Sequence, residues 1–489
     1  MNALFNRAGW LLWGAAALLI VVFVYGSHHY SISGDVGWHY ALVEHFLSNG
    51  ALPAHLSGHL GPMGSYPPAA HAGVAALSNL TGVAPLQIMF VSALVIPMIS
   101  YLLLARLALA RDVGQDFAFL VCLVAMLVLF VFTRQLHGRE TVHTFYFAQS
   151  IGDAACVVTF VLISNLNRLW LRVFATVVSV FAIGWLYNLS AIRLGAAILL
   201  LQAVETALAA DKGVRLSVLA IATTLVLGAI FLHPTFAAMV GNASYNAGAG
   251  GGAALGTVAL ATAVVVAGCA LLRHWLKGGG TWGQAKLGVL GIALAVTAWG
   301  QFLALYGLGM GSAYAVKKHS LLLGTALCFA TAILAGERLA HARPFFRVPF
   351  WRPATPAIAV LLAAVIILPW GGYPDRALLD YDAAVRSVVA RSPGDLMGKT
   401  GSLETGIWPT MNFAIATALL GMDGWSENGV DQFALIGIGQ PTGTLSYILS
   451  RQSGADGCMV RRYEPENLYL LHRRCVVSLS PGAKPTSYD

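Results

Sequence analysis

Charge is what this sequence has least of. Only 10% of its 489 residues are Asp, Glu, Lys or Arg, where soluble domains carry roughly 25%. With 57% hydrophobic residues and a mean hydropathy of +0.72, such sparse charge excludes a water-soluble globule and makes the chain an integral membrane protein. Nucleotide machinery is missing as well: there is no Walker-type loop, no dinucleotide fingerprint and no metalloprotease helix. The GAGGG run at 248–252 has no strand before it and no Lys-Ser/Thr after it, which excludes a phosphate loop. The net charge of +8 is not gathered into a basic patch interleaved with aromatics, which excludes nucleic acid as a partner. Cysteine is scarce, and Cys122, Cys156, Cys269 and Cys328 fall inside apolar runs, where a thiol is one more small apolar residue. Cys458 and Cys475 are then the one pair in polar surroundings, which fits a structural disulfide in an oxidising compartment.

What the chain has in abundance is apolar runs of about 17–25 residues, long enough to span a bilayer. Eleven are legible, near 6–26, 84–104, 117–133, 147–163, 170–187, 189–208, 214–232, 253–272, 287–308, 319–336 and 353–370. With the N-terminus in the cytoplasm, the inner connections hold fourteen Lys and Arg and the outer ones five. That asymmetry sets the orientation by the positive-inside rule. The odd number of spans then puts the C-terminal segment outside; the expected location is a bacterial inner (plasma) membrane with that segment in the periplasm. The other reading of the first run is a cleaved signal peptide, but no convincing small-x-small site precedes Ser27. The expected fold is therefore an α-helical polytopic membrane domain over 1–370, with catalytic outer loops at 27–83 and 134–147. An extracytoplasmic α/β domain follows over 371–489, where polar residues and Gly/Pro turns take over. In that domain Phe433–Ile438, Met459-Val460 and Val476–Leu479 read as strands, and Thr410–Leu420 and Thr444–Arg451 as helices.

Few acids are placed outside: Asp35, Glu44, Glu140 and Asp153 in the membrane part. Carboxylates next to lipid are costly and so mark function. Asp35 opens a helical stretch in which His39 lies one turn on, on the same face. Glu44, nine residues on, points the opposite way. Asp35 also suits the positive end of the helix dipole, so a simple capping role is its other reading. Seven histidines lie between His28 and His71, yet their spacings match no closed zinc site. The second outer loop gathers Arg139, Glu140 and His143; Glu140 is either a reactive carboxylate or the ion-pair partner of Arg139 or Arg134. Arg193, just inside the sixth run, faces a polar cavity or snorkels to the surface. The glycine-rich loop at 233–252 is a lid or a slack connector. Tyr314, Lys317 and Lys318 stand outside against the charge trend, where the lysines suit a phosphate or anchor the helix among headgroups.

The segment D-x-x-x-H-Y-A-L-x-x-x-x-L-x-x-G-x-L-P, with Asp35, His39, Tyr40, Gly50 and Pro53, resembles the first outer loop of the GT-C superfamily of membrane glycosyltransferases. The turn SYPPAAH, from Ser65 to His71 and carrying Tyr66, is similar to that family's Tyr-Pro-Pro turn. Tyr314 to Lys318, YAVKK, resembles its Tyr-Tyr-x-x-Lys motif with Ala315 in place of the second tyrosine. Many spans followed by an outer α/β domain is also the family's layout, so the resemblance covers most of the chain. It implies transfer of a sugar from a polyprenyl-phosphate donor to a glycan, lipid or protein acceptor at the outer face of the bilayer. Asp35 and Glu140 are then the catalytic candidates. His39, Tyr66, Arg139, His143, Arg193, Tyr314, Lys317 and Lys318 are the substrate-binding ones. Asp35 would take the proton of the attacking hydroxyl, and the cations would stabilise the departing phosphate. The family often pairs two acids in this loop; here Gly34 precedes Asp35. A divalent cation, Mg or Mn, held by Asp35 and Glu140 is therefore an open alternative to a reaction without cofactor. The rival function is a transporter or flippase for a lipid-linked or small polar substrate. It predicts internal repeats and ionisable groups near mid-membrane. No repeat is evident, nor the large late outer loop expected of a polysaccharide polymerase or ligase.

Overall fold

The computed structural model describes residues 35–50, 58–109, 113–133, 135–139, 145–242, 251–342, 351–367, 376–407, 409–423, 426–436, 442–454 and 457–476. The first apolar run, 6–26, lies outside the described residues, as do Glu140, His143 and the 243–250 glycine segment.

Helices dominate, and their ends follow from local chemistry. Helix α1 (Asp35–Asn49) carries an acid in its first turn and stops at Gly50, whose φ of 61° lets its N–H reach the Phe46 carbonyl at 3.0 Å. A 3-10 turn (Gly58–Ser65) follows, then α2 (Ala69–Thr81), entered from Pro68 and closed by Gly82. The apolar helices come next: α3 (Pro85–Ala108), α4 (Val113–Val131), α5 (Phe147–Ile163), α6 (Leu169–Leu186), α7 (Asn188–Leu208) and α8 (Lys212–Phe231). After the short α9 (Pro234–Asn242) come α10 (Gly251–Leu276), α11 (Trp282–Leu308), α12 (Ala313–Lys317), α13 (Ser320–Ala342) and α14 (Trp351–Ile367). Among the described residues, seven helical stretches are long and apolar enough to cross a membrane: α3, α6, α7, α8, α10, α11 and the α12–α13 stretch. Helices α4, α5 and α14 contribute shorter apolar segments. This is a helical membrane protein.

The chain forms two compact units that interleave along the sequence. The first comprises 93–140 and 148–370 among its parts, and the second comprises 25–92, 141–147 and 371–489. The first unit is a helix assembly built on close backbone approach. A Cβ placed on Gly268 of α10 would lie 2.7 Å from the Gly288 carbonyl of α11, and one on Gly336 of α13 would lie 2.7 Å from the Phe119 nitrogen of α4. Apolar helices in lipid gain little from hydrophobic burial, so small residues that let backbones touch supply the packing instead.

In the second unit, the C-terminal segment folds as α15 (Arg376–Arg391), α16 (Pro393–Leu396), α17 (Pro409–Leu419), α18 (Glu427–Leu435) and a four-stranded sheet. Its strands are β1 (Thr400–Ser402), β2 (Tyr447–Ser450), β3 (Met459–Tyr463) and β4 (Leu468–His472), in the order β1-β2-β4-β3. Only β1 and β2 run parallel. Cys458 and Cys475 are disulfide-bonded, tying the start of β3 to the turn after β4. Two local expectations are corrected here. Phe433–Leu435 is the end of α18, not a strand, because Ser426 caps the helix by accepting from the Gly429 N–H at 3.3 Å. The predicted helix Thr444–Arg451 contains β2 instead, where β1 and β4 satisfy its backbone from either side. The strand expected at Val476–Leu479 lies outside the described residues beyond Val476.

Candidate functional site

Each unit holds a cluster of buried polar groups around candidate residues from the sequence. In the second unit the centre is α1. Asp35 is half-buried in its first turn, and His39 one turn on is buried. His39 Nδ1 lies 2.8 Å from His71 Nε2 of α2, with the rings nearly parallel. Two imidazoles at that distance share one proton, so one nitrogen donates and the other accepts. Burial pushes the His71 pKa down to about 3, so the His71 ring is neutral at physiological pH. Aromatic rings enclose it: Tyr66 meets His39 edge-on at 5.5 Å, and Phe145 and Phe147 do so at 5.8 and 6.0 Å. The half-buried Asp35 carboxylate can accept a proton and the half-buried Tyr66 ring can pack on a polyhydroxylated molecule, while the buried imidazole pair holds α1 against α2.

In the first unit the centre is a buried ion pair. Asp153 sits in the second turn of α5 rather than in a loop, and Arg193 in the second turn of α7. Their side chains are 0% and 1% exposed and hydrogen-bonded to each other. The geometry leaves no doubt about what the guanidinium does. Nη1 donates to Asp153 Oδ1, Nη2 to the Lys318 carbonyl at 3.1 Å, and Nε to His319 Nδ1 at 3.4 Å. Because an arginine N–H only donates, His319 Nδ1 must accept, which leaves the proton of the neutral ring on Nε2. Ser190 donates to Asp153 Oδ1 at 2.5 Å, and Gln149 Nε2 donates to the Lys318 carbonyl at 2.8 Å. A Cβ on Gly152 would lie 2.7 Å from Tyr187 Cβ, so glycine is what lets α5 and α7 come close enough for these contacts.

Above this pair, α12 ends in Lys317, and Lys318 caps it. Both lysines are half-buried. Lys318 Nζ donates to the Tyr187 hydroxyl at 3.0 Å and lies 4.7 Å from the centre of the Tyr314 ring. Arg193 spends all three nitrogens on protein partners and fixes the Lys318 backbone, whereas Lys317 and Lys318 carry the cationic charge of that helix end. Arg139, half-buried, closes the short turn that begins at Leu136.

The structure thus brings Asp35, His39 and Tyr66 into one unit and Arg193, Tyr314, Lys317 and Lys318 into the other, while Glu140 and His143 lie outside the described residues. Among the described residues no three His, Cys, Asp or Glu side chains come together; the proposed Asp35–Glu140 cation pair falls partly outside them, since Glu140 is not described. Sequence reasoning placed His319 beside Lys317 and Lys318 without its partner, did not single out His71 and Gln149 for theirs, and passed over Ser190 and Tyr187 as site residues. The usable signal was their spacing: Gln149 and Asp153 lie four apart in what reads as a continuous apolar helix, as do Asp35 and His39 in α1.

Fold and site together define a polytopic helical membrane protein with buried polar clusters among its described residues and a C-terminal α/β segment. No model of a known protein family matches the chain, and no curated protein compared with it is similar enough to count as a match.

Proposed function

We propose that the protein is a GT-C-type glycosyltransferase that moves a sugar from a polyprenyl-phosphate donor to a glycan, lipid or protein acceptor at the periplasmic face of a bacterial inner membrane. The observation that carries the reading is α1: Asp35 in its first turn, the hydrogen-bonded His39–His71 pair one turn on, and the aromatic rings of Tyr66, Phe145 and Phe147 around it. Asp35 is the base that removes the proton of the acceptor hydroxyl as it attacks the anomeric carbon. The half-buried ring of Tyr66 suits the apolar C–H surface of a sugar, while the buried imidazole pair with Phe145 and Phe147 holds that ring and α1 in place. In the other unit, the half-buried Lys317 and Lys318 supply the positive charge that a lipid phosphate needs at the membrane surface. Asp35→Asn keeps the shape and removes the base. Purified variant given a polyprenyl-phosphate sugar and acceptor is expected to release polyprenyl phosphate about 10²–10⁴-fold more slowly than wild type. Near-normal turnover by that variant would remove Asp35 from the mechanism.

One observation favours a second reading. The Asp153–Arg193 pair is fully buried among helices, and His319 Nε2 and Gln149 Oε1 have no hydrogen-bond partner among the described residues. Buried ionisable groups with spare polar atoms also line transport paths. A transporter moves its substrate across sealed vesicles with no glycosidic bond formed, and that assay separates the two.

A further inference from the structure

Helix α1 is held from behind by groups more than three hundred positions away in the chain. Tyr40 and Glu44 lie one turn apart on α1, and Asp382 and Arg386 lie one turn apart on α15. The two pairs interlock. The Tyr40 hydroxyl donates to Asp382 Oδ1 at 2.6 Å and accepts from Arg386 Nη2 at 2.5 Å. Arg386 also grips Glu44 with both Nη atoms, each at 2.7 Å. Tyr40 is 0% exposed, Asp382 1% and Glu44 8%. Next to this network, Gly37 lets α1 sit directly on α17. A Cβ there would lie 3.0 Å from Ala414 Cα and 3.2 Å from the Phe413 ring, and Trp38 packs edge-on against Phe413.

Burying two carboxylates and a phenol against a half-buried guanidinium is a poor way to gain stability, since apolar residues of the same volume do as well. What such a network does well is select one register, because every donor and acceptor is satisfied in only one alignment of the two helices. A helix of 15 residues is marginal by itself, yet its first turn carries the carboxylate assigned as base. A base works only when placed within hydrogen-bond reach of its proton, and a small misplacement costs orders of magnitude in rate.

We propose that Arg386 and Asp382 are positioning residues: the C-terminal segment clamps α1 in a single register and so sets where the Asp35 carboxylate stands. The kinetic consequence rests on the glycosyltransferase reading; the clamp itself does not. The experiment uses the full-length protein in nanodiscs, with wild type, Arg386→Met, Arg386→Lys and Tyr40→Phe compared by hydrogen–deuterium exchange and by transfer kinetics. In Arg386→Met, amides of α1 are expected to exchange at least about tenfold faster, while those of β2 and β4 keep their wild-type protection. Turnover should fall by a factor of about ten or more with the donor KM within twofold, since register and not donor binding is lost. Arg386→Lys should lie between, because an ammonium cannot make the two-pronged contact. Where the sheet also loosens in Arg386→Met, Tyr40→Phe decides, as it removes one hydroxyl and leaves the packing in place. Unchanged α1 protection in both Arg386→Met and Tyr40→Phe overturns the clamp, and loosened α1 with wild-type turnover overturns the positioning role. Absence of transfer by wild type itself overturns the glycosyltransferase reading, and the exchange data then decide the clamp by themselves.

Discussion

Replacing Arg193 with Met offers the sharpest test of how the membrane unit is held together. The substitution keeps the length of the side chain and removes its charge and all three of its hydrogen bonds. Asp153 is then left 0% exposed with Ser190 and Gln149 as its remaining partners. Removing one member of a buried ion pair costs about 3–5 kcal/mol, because the other must stay charged without compensation or take up a proton. Asp153→Asn should cost a similar amount from the other side, stranding the guanidinium. The double variant removes both charges at once, so its loss should fall below the sum of the singles by roughly 0.5–3 kcal/mol. Equilibrium unfolding in mixed detergent micelles, followed by tryptophan fluorescence, reads all three. Single losses under about 1 kcal/mol, or a double loss equal to the sum, would refute the claim that the pair acts as a unit.

Further expectations concern the second unit and the cationic helix end. His71 has a folded pKa of about 3, far below its ordinary 6.5. Its contribution is therefore complete above pH 6.5 and lost as pH falls towards 3, at about 1.4 kcal/mol per pH unit in that window. Burial acts oppositely on Asp382, raising it to about 6 from 3.8, so its contribution is complete at low pH and lost as pH rises through 6. His71→Asn should abolish the acid-side decline and Asp382→Asn the opposing one; identical pH profiles for wild type and either variant would count against the burial argument. Cys458 and Cys475 should resist alkylation until reduced, and free thiols there in freshly isolated protein would remove the bond seen between them. Lys317→Ala should weaken use of a lipid-phosphate donor by roughly 1.5–3 kcal/mol, as for a hydrogen bond to a charged group, and leave the apparent acceptor affinity alone. Equal effects on both substrates would argue against a phosphate at this helix end.

Much of the architecture was written locally. Apolar runs long enough to span a bilayer announce helices because a lipid-exposed backbone must satisfy its own hydrogen bonds. The ends of α1 and α2 are legible in Asp35, Gly50, Pro68 and Gly82. The helix α17 and the strand β3 were likewise visible in their short windows. Asp35 and His39 stood out through their spacing alone, and Arg193 through its place in an apolar run. What those residues meet could not be read the same way. Arg193 admitted a cavity or snorkelling until packing set it against Asp153, 40 residues earlier, and against the Lys318 carbonyl. In sequence, Asp382 and Arg386 are the ordinary charged face of an amphipathic helix; only the fold brings them to Tyr40 and Glu44, 342 residues away. The stretch containing β2 shows the same limit, since a strand exists only where partners on both edges take up its backbone groups. Propensity, capping and hydropathy act within a few turns of chain and are therefore encoded there. Which polar groups are buried, and with whom, depends on packing between distant segments, and that is decided only when the chain closes on itself.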